Sequence, residues 1–492
     1  SKATGPDRIP SIVLKMCSPE LSPVLAKLFN KCLAESCFPS CWKSSSVVPV
    51  FKNDRERPDP SKYHPISLLP IISKIFDSFI NDSLINHLDS TGLFSDLQYG
   101  FRALRSTADI LTVLSECIYN SLDALGETRA IALDISKAFD KVWHAGLLHK
   151  LKAYGVAGSI LSILESFVKE RSLKVVLDGQ SSPLYNINAG VPQGSVLGPT
   201  LFLVFINDLP DEVLSRIGIY ADDTTLYSCV GKAGVFERVE SAADLEVDLH
   251  SIVEWGNKWL VSFNATKTKL LSFNRHRDPL LVPVKMSGTE LPEETSFRLL
   301  GLTFSQSMDW KPYIQSIAKA ASRKVGSLYR AQRFLTPESI LYLYKSTIRP
   351  CMEYCCHIWG GAPRSQGLDL LDRVQKRVVN LVGPELSADL HALSHRRDVA
   401  SLSLFYKYYH RKCSSELADL VPRKRVPVRS TRFSNQMHLH TVNLPKCRTN
   451  FYDSSFFPRT AALWNSLTNE CFPPDYDLTT FKGRANKHLL LK

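Results

Sequence analysis

The succession of hydrophobic patterns between residues 130 and 227 constrains the fold more than any other feature of this sequence. Apolar alternation, helical spacing and Gly/Pro punctuation follow one another there in a definite order. The predicted elements are a strand at 130–133, a helix at 147–168, a hairpin of 173–177 with 184–188, a helix at 199–208, and a hairpin of 217–220 with 224–227. This order predicts an α+β fold in which an antiparallel sheet carries helices on one face, similar to the ferredoxin-like plan.

The flanking regions are predicted to be mainly helical. Apolar residues recur at helical spacing in 11–37 and 71–88, and a β-branched strand lies between them at 47–51. Beyond residue 310 one helical stripe consists of Leu368, Leu371, Val374, Val378 and Leu381. The basic residues beside this stripe (Arg373, Lys376 and Arg377) favour a core-facing helix with a solvated face, and a face that follows a nucleic-acid backbone is the alternative.

A basic segment follows near the carboxyl end. Residues 396–432 contain ten Lys and Arg against three Asp and Glu. The aromatic residues interleaved with them are Phe405, Tyr406, Tyr408 and Tyr409. Such a mixture predicts contact with phosphates together with stacking on bases.

The composition favours a globular chain with a polyanionic partner. Lys and Arg total 60 against 48 Asp and Glu, a formal net charge of +12, and 44% of the residues are hydrophobic. Nucleic acid is the first candidate partner and an anionic membrane surface the second. No apolar run approaches the roughly 18 residues of a membrane-spanning helix, so a soluble protein is expected. The 12 scattered cysteines favour reduced thiols in an intracellular compartment, and the start at Ser1 favours a larger parent chain.

Three aspartates lie at the ends of predicted strands. Asp134 directly follows the strand 130–133, and Asp222 and Asp223 lie at the turn of the last hairpin. An Asp-Asp pair alone is typical of an ordinary turn. Three acids gathered at strand ends would repel one another unless cations neutralised them. Because two magnesium ions can hold the attacking and leaving oxygens of a phosphoryl displacement, the pattern favours polymerase chemistry.

Three segments resemble successive motifs of reverse transcriptases. They are ALDISKAFD at 132–140, AGVPQGSVLGP at 189–199 and YADD at 220–223. More closely, the chain resembles the polymerases of non-LTR (LINE-type) retrotransposons of the jockey-like kind, with further matches in KYHPISLL at 62–69 and YGFR at 99–102. The resemblance extends from about Gly5 to Gly383 and, more weakly, to residues 459–465.

The resemblance implies a right-hand polymerase with fingers, palm and thumb, followed by a mainly helical, basic C-terminal region. The expected boundaries are an N-terminal helical extension at 1–45, fingers and palm at 46–305, a helical thumb at 306–385, and the basic C-terminal region at 386–492. Two magnesium ions are implied as cofactors, with manganese as a substitute. Asp134 and Asp222 are then metal ligands, Asp223 completes the catalytic cluster, and Ile135 belongs to the same metal site.

The resemblance also implies a deoxynucleotide site made of Lys52, His64, Phe139, Gln193, Gly194 and Lys267. Phe139 matches a ring that would collide with a ribose 2′-hydroxyl, and a core-filling ring is the alternative. Gln193 matches a residue that touches the incoming nucleotide and Gly194 one that lets the template pass, with a plain strand-to-helix turn as the alternative. Lys52 matches a lysine used against the triphosphate and Lys267 one that protonates the departing pyrophosphate. An exposed lysine is the alternative for both.

Four residues are expected beside the primer and template. Tyr220 and Ala221 precede the aspartate pair, and Leu300 and Gly301 end a segment that resembles the motif gripping the primer end. An apolar hairpin is the alternative for the second pair.

The sequence departs from the family pattern at three positions. His64 stands where most relatives carry an arginine, and it lacks the permanent charge and two-pronged phosphate grip of that residue. Arg8 replaces a glycine and Tyr313 replaces a histidine of family motifs. Weakened nucleotide binding is therefore an expectation for His64.

Cys351, Cys355, Cys356 and His357 form a group that could suggest zinc. No second CxxC or HxxxH pair accompanies this group, so helix packing is the favoured interpretation.

The expected function is an RNA-directed DNA polymerase that uses template RNA, a DNA primer 3′ end and deoxynucleotides, with no membrane partner. The resemblance implies target-primed copying into a nick, a nuclear location with a cytoplasmic ribonucleoprotein stage, and an upstream endonuclease domain missing from this chain. The alternative is a catalytically decayed or domesticated RNA-binding, maturase-like ribonucleoprotein component. Asp134, Asp222 and Asp223 favour the first, and His64 favours the second.

Overall fold

The computed structural model describes residues 3–51, 60, 63–231, 234–275, 282–424 and 439–491. The chain divides into two compact units. Unit 1 consists of Ser1–Phe101, Leu133–Thr224 and Val247–Lys267, and unit 2 consists of Arg102–Ala132, Thr225–Glu246 and Thr268–Lys492. All three aspartates at predicted strand ends belong to unit 1.

The strands appear where short β-branched or alternating runs were predicted. They are β1 (Ser44–Phe51), β2 (Tyr63–Leu68), β3 (Glu127–Leu133), β4 (Arg171–Leu177), β5 (Gln180–Ser181), β6 (Tyr185–Ile187), β7 (Arg216–Tyr220), β8 (Asp223–Val230), β9 (Lys269–Phe273), β10 (Lys285–Met286), β11 (Thr289–Glu290), β12 (Ser296–Leu299) and β13 (Leu302–Ser305).

Helices alternate with these strands and dominate after residue 310. They are α1 (Ser11–Met16), α2 (Ser18–Ala34), α3 (Ile71–Ser90), α4 (Thr107–Asp123), α5 (His144–Ala153), α6 (Gly158–Val168), α7 (Leu197–Ile206), α8 (Val235–Trp259), α9 (Lys311–Ala331), α10 (Pro337–Leu343), α11 (Arg349–Glu353), α12 (Cys356–Trp359), α13 (Leu368–Val382), α14 (Pro384–Ser387), α15 (Leu393–Tyr409), α16 (Ser415–Asp419), α17 (Asn450–Asp453), α18 (Phe456–Asn465) and α19 (Leu478–Leu490). None of the helices among the described residues combines the length and apolar character needed to cross a bilayer.

A five-stranded sheet lies in unit 1. Its order is β2-β1-β4-β5, and β6 pairs with β4. β1 runs antiparallel to β2, with Val50 opposite His64, and parallel to β4. The predicted hairpin of β4 and β6 is confirmed, with Leu173 opposite Tyr185.

A second sheet has the order β7-β8-β3-β9. β3 is antiparallel to β9, with Ile131 opposite Leu270. Ala130, Ile131 and Leu133 are buried, as expected for a strand covered on both faces. The predicted hairpin with the aspartate pair at its tip is confirmed as β7 and β8. The mixed α and β architecture therefore agrees with the expected fold class.

The prediction of one helix over 147–168 was wrong, because the structure has two helices there, α5 and α6. The chain turns between them at Gly155, which has a φ of +76°. Glycine adopts this left-handed conformation without the steric cost that other residues incur, so it allows α5 to end.

The helical stripe after residue 310 is confirmed in unit 2 as the buried face of α13. Leu371, Val374 and Val378 are buried, whereas Arg373 and Arg377 are exposed. The stripe therefore faces the core, and the exposed basic face is compatible with both interpretations of this helix.

The prediction that the aromatic residues of 396–432 offer a stacking surface was wrong for three of the four. Phe405, Tyr406 and Tyr408 are fully buried. Tyr406 stacks on Phe481 with 4.1 Å between ring centroids, and the Tyr408 hydroxyl donates to Asp109 Oδ1 at 2.9 Å. These rings fill the core of unit 2, and the basic residues at 425–438 lie outside the described residues.

Packing also accounts for three of the four members of the cysteine and histidine group in unit 2, whereas Cys351 is exposed. Cys355, Cys356 and His357 are buried, and His357 Nε2 lies 2.8 Å from Thr112 Oγ1. Burial lowers the pKa of His357 to about 3, with the positive charge of Arg459 as a smaller cause. The helix-packing interpretation is therefore favoured over zinc.

Candidate active site

Asp134 lies where the chain leaves β3 in unit 1. Its backbone carbonyl accepts a hydrogen bond from the Asn264 amide at 3.0 Å. The next residues continue the pairing, since Ile135 bridges Phe263 and the Ser136 amide donates to Ser262 O at 3.1 Å. The backbone around Asp134 is thus fixed on one side while 40% of its side chain stays accessible.

Asp222 and Asp223 lie at the turn between β7 and β8, and both are exposed. The pKa of the Asp223 carboxyl is raised to about 6, first by partial desolvation and then by the negative charges of Asp222 and Asp134. Asp222 and Asp134 are therefore near enough for their negative charges to disfavour the charged form of Asp223. Asp134 follows β3, and the aspartate pair lies at the turn between β7 and β8 of the same sheet.

The donor set suits a hard divalent cation. Carboxylate oxygens are the ligands that Mg²⁺ prefers, and this ion is usually held by one or two carboxylates with water and substrate phosphates. Among the described residues, no three or more His, Cys, Asp and Glu side chains are gathered in the geometry of a complete metal site. Asp134, Asp222 and Asp223 therefore do not form such a group by themselves.

Lys267 lies near Asp134. Its Nζ lies 3.9 Å from Asp134 Oδ2, and the two side chains are 67% and 40% exposed. An ion pair this accessible contributes little to stability. The lysine is therefore free to turn toward a ligand without a large loss in folding free energy.

A buried cluster fixes the end of α8, after which the chain approaches Asp134. Lys150 Nζ donates to Asp208 Oδ1 at 2.5 Å and lies 3.8 Å from the Trp259 ring centroid. Trp255 Nε1 donates to the same aspartate oxygen at 3.0 Å. These contacts surround the buried ammonium of Lys150 and hold the last turns of α8 in place. They therefore fix the point from which the chain continues toward Asp134.

The Gly/Pro loop between β6 and α7 lies against the segment that follows Asp134. The Val191 amide donates to Phe139 O at 2.8 Å, and the Gly190 amide donates to Val142 O at 2.8 Å. Gln193 Nε2 donates to Asp140 Oδ1 at 2.8 Å. The structure therefore places the loop of Gln193 against the segment that contains Phe139.

Gly194 lies against the end of β2. Its φ is +132°, and a Cβ added there would lie 2.5 Å from Ser67 O. The Ser67 amide also donates to Gln193 O at 2.8 Å. His64 is exposed on the same strand, so the loop and β2 meet within unit 1.

Phe139 is held by two other rings of unit 1. It stacks on Phe202 with 4.5 Å between centroids and meets Phe101 edge-on at 6.4 Å. The ring is half-buried. Both the core-filling interpretation and a sugar-facing edge are compatible with this position.

Three further predicted residues do not belong to the described part of unit 1. Lys52 lies outside the described residues. Leu300 and Gly301 belong to unit 2, at the turn between β12 and β13 with φ values of 45° and 86°. Leu300 O accepts a hydrogen bond from the Tyr354 hydroxyl at 2.6 Å. β12 and β13 pair antiparallel, and this hairpin is compatible with both a primer contact and a purely structural role.

Two buried side chains in unit 1 were missed by the sequence analysis. Gln98 Oε1 accepts a hydrogen bond from the Ala221 amide at 3.0 Å, and His144 Nε2 lies 2.8 Å from Gly190 O. Gln98 immediately precedes the matched segment at 99–102, which was the one available signal. For His144 the sequence contained no signal, because a histidine by itself does not indicate such a contact.

Comparisons with known proteins agree with these motifs. A family model described as "Reverse transcriptase (RNA-dependent DNA polymerase)" matches residues 50–304, slightly more than half of the chain. The chain is 31% identical over 382 residues to the RNA-directed DNA polymerase from mobile element jockey of Drosophila melanogaster, a match covering 74% of this chain and 40% of that protein. It is 28% identical over 449 residues to the probable RNA-directed DNA polymerase from transposon X-element of the same organism, covering 88% of this chain and 48% of that protein.

The chain thus spans about half the length, or less, of the curated relatives it matches. A solved structure of apo telomerase from Candida tropicalis, truncated from its C-terminal domain, is 12% identical with a TM-score of 0.37, covering 55% of this chain and 54% of that one. That likeness is too distant to carry an argument. The family match and the order of the motifs place this chain in the reverse transcriptase (RNA-dependent DNA polymerase) family.

Proposed function

We propose that this chain is the RNA-directed DNA polymerase of a non-LTR retrotransposon, which extends a DNA primer 3′ end on an RNA template. The observation that carries the proposal is the position of the three aspartates at the ends of strands of one sheet, Asp134 after β3 and the pair at the turn between β7 and β8. The negative charges of Asp222 and Asp134 also raise the pKa of Asp223. The loop of Gln193 lies against the segment that follows Asp134. The proposed metal ligands and the proposed nucleotide-binding loop therefore belong to the same unit.

The reaction proposed is nucleotidyl transfer. The primer 3′-hydroxyl oxygen attacks the α-phosphorus of a deoxynucleoside triphosphate, a new P–O bond forms, and the bond from the α-phosphorus to the bridging oxygen breaks. The hydroxyl proton passes to water, and Lys267 gives a proton to the departing pyrophosphate. Asp134, Asp222 and the Ile135 carbonyl would hold two Mg²⁺ ions. Asp223 would add a third negative charge beside them. These ions, when bound, neutralise the attacking and leaving oxygens.

The proposal extends to the domain map and the partners. Residues 46–305 would form fingers and palm, 306–385 a thumb and 386–492 a basic C-terminal region. Tyr220, Ala221, Leu300 and Gly301 would lie beside primer and template. Target-primed copying at a nick in nuclear DNA would follow from the class of element, with template RNA, DNA primer and deoxynucleotides as partners.

Primer extension tests the proposal directly. The full chain is incubated with poly(rA)/oligo(dT), dTTP and Mg²⁺, and labelled product is resolved by length. We expect extension that depends on both the template and the metal, with reactions lacking template or containing EDTA as controls. Absence of template-dependent extension with either Mg²⁺ or Mn²⁺ overturns the proposal.

The ring of Phe139 gives a prediction about sugar selection. Phe139→Ala is expected to raise the ratio of ribonucleotide to deoxynucleotide incorporation by about tenfold, because removing a ring that is held by Phe202 opens space at a fixed position. Competition between UTP and dTTP measures the ratio. Phe139→Tyr is the matched control, since it keeps the ring and should keep the parent ratio. A core-filling role predicts lower activity of the alanine variant with both nucleotides and an unchanged ratio.

His64 favours a second candidate function, an RNA-binding, maturase-like component without synthesis. The histidine replaces the arginine of most relatives and is exposed on β2. In that case the full chain would bind structured RNA in a filter assay while showing no extension of any primer.

His64 also gives a prediction under the polymerase proposal. His64→Arg is expected to lower the KM for dTTP by about tenfold, because a permanent guanidinium adds charge-assisted hydrogen bonds to the triphosphate. Steady-state kinetics on the same template measures this change. His250→Arg on the exposed face of α8 adds the same charge away from β2 and should leave KM unchanged. An unaltered KM in His64→Arg would show that position 64 is not at the triphosphate.

A further inference from the structure

Residues 97–101 close the first part of unit 1. They lie along the last residues of β7. The Ile219 amide donates to Leu97 O at 3.0 Å, and the Tyr99 amide donates to Ile219 O at 2.7 Å. Gln98 bridges Ile219 in parallel register. The segment therefore continues like a short extra strand up to the turn that carries the aspartate pair.

The Gln98 side chain grips the backbone of that turn. It is 1% exposed, and its Oε1 accepts hydrogen bonds from the Gly100 amide at 2.8 Å and from the Ala221 amide at 3.0 Å. Ala221 has a φ of +57°, a left-handed conformation that is unfavourable for a residue with a side chain. A buried acceptor on its amide stabilises this conformation at the residue before Asp222.

Gly100 allows the close approach of the two segments. A Cβ added at Gly100 would lie 2.4 Å from the Ala221 nitrogen and 3.0 Å from the Tyr220 carbonyl carbon. Both neighbours are backbone atoms, so a rotamer change cannot relieve the contact. Any other residue at position 100 would push the turn away.

The environment of the Gln98 side-chain nitrogen indicates that this residue does more than fill space. Among the described residues its Nε2 has no hydrogen-bond partner although it is buried. An unpaired buried donor destabilises the fold. If the Gln98 side chain only filled space, an apolar residue of the same size would stabilise the fold more. Its Oε1, however, accepts hydrogen bonds from two backbone amides.

We propose that Gln98 is a positioning residue that fixes the backbone of Ala221 and thereby sets the direction of the Asp222 and Asp223 carboxylates. Gly100 is its necessary companion, because it lets the segment reach the turn. This inference rests on the proposed polymerase function for its kinetic consequence. Its structural consequence, protection of the Ala221 amide, is independent of activity.

Three variants of the full chain test the proposal. Gln98→Met keeps the volume and removes the acceptor, Gln98→Glu keeps an oxygen that accepts both amides, and Gly100→Ala forces the segments apart. Asn81→Leu is the matched control. Asn81 is a buried amide whose Oδ1 accepts the Thr200 hydroxyl at 2.6 Å, and it does not bind the turn.

Amide hydrogen exchange without metal or nucleotide gives the first readout. In Gln98→Met the peptide containing Ala221 should exchange at least about threefold faster than in the parent, because that amide loses its acceptor. Gln98→Glu should restore slow exchange, and Asn81→Leu should leave this peptide unchanged. Parent-like exchange in Gln98→Met, or failure of Gln98→Glu to restore protection, overturns the proposal.

Primer extension gives the second readout. Gln98→Met should lower kcat by about tenfold or more with a smaller change in the KM for dTTP, since a displaced turn misaligns the carboxylates more than it weakens nucleotide contacts. Asn81→Leu should keep the parent kcat. A parent chain that does not extend primers defeats the polymerase proposal and leaves the exchange test intact, whereas an active parent with a parent-like Gln98→Met defeats this inference.

Gly100→Ala carries the test if Gln98→Met does not fold. It retains the Gln98 acceptor and moves the turn by steric contact, so faster exchange at Ala221 and a lower kcat are expected together. Slow exchange with parent activity in this variant would show that the turn does not depend on the segment.

Discussion

Asp222→Ala is expected to lower template-dependent incorporation of dTMP on poly(rA)/oligo(dT) by on the order of a thousandfold or more. The substitution removes one of the two carboxylates whose negative charges raise the pKa of Asp223. Two remaining aspartates would hold the proposed metal ions less well and in altered positions, and charge on the attacking and leaving oxygens would be less neutralised. Initial rates at saturating dTTP and Mg²⁺ measure the loss.

Asp82→Ala is the matched control for this substitution. Asp82 is an exposed aspartate on α3 of unit 1, and alanine favours a helix at that position. We expect parent-like rates from Asp82→Ala. Equal incorporation by the parent and Asp222→Ala would remove the aspartates from the catalytic assignment, whatever the effect of the control.

The positions of the three aspartates were predictable because they follow from local patterns. A strand is buried on both faces when its residues are apolar in succession, as at Ala130 and Ile131, and a hairpin follows from two short runs with a turn between them. Each pattern spans fewer than about ten residues. Acids at the ends of such runs therefore appear at strand ends before the sheet order is known.

The support around the aspartates was not predictable, because it depends on contacts between distant segments. Gln98 and Ala221 are far apart along the chain, and no local period signals that one accepts a hydrogen bond from the other. The same limit explains the error at Phe405 and Tyr406. Their residue types suit either base stacking or a core, and only packing against Phe481 and its neighbours decides between them.

The boundaries of one predicted helix were wrong because a glycine ends the helix inside a segment whose apolar residues keep helical spacing. The segment 147–168 keeps apolar residues at helical intervals, yet the chain turns at Gly155. Periodicity reports which face is buried and is insensitive to a short interruption. Identification of the family is unaffected by such errors, because it rests on the motifs themselves.

Gly194→Ala is expected to lower kcat/KM for dTTP by about a hundredfold, an effect typical of a displacement near 1 Å at a reacting site. The added Cβ would lie 2.5 Å from Ser67 O, and the φ of +132° is strained for any residue other than glycine. The loop and β2 would have to separate. That separation would also strain the hydrogen bond from the Ser67 amide to Gln193 O.

Gly231→Ala is the matched control, since a Cβ there meets no atom of the described residues within 4 Å. This variant should keep parent kinetics, and thermal unfolding of both variants separates local displacement from general loss of stability. A Gly194→Ala protein with parent-like kcat/KM would show that the loop tolerates displacement and that Gln193 does not contact the nucleotide through it. A large loss confined to kcat/KM, with the unfolding temperature nearly unchanged, is the result expected if β2 and the loop together hold the incoming nucleotide.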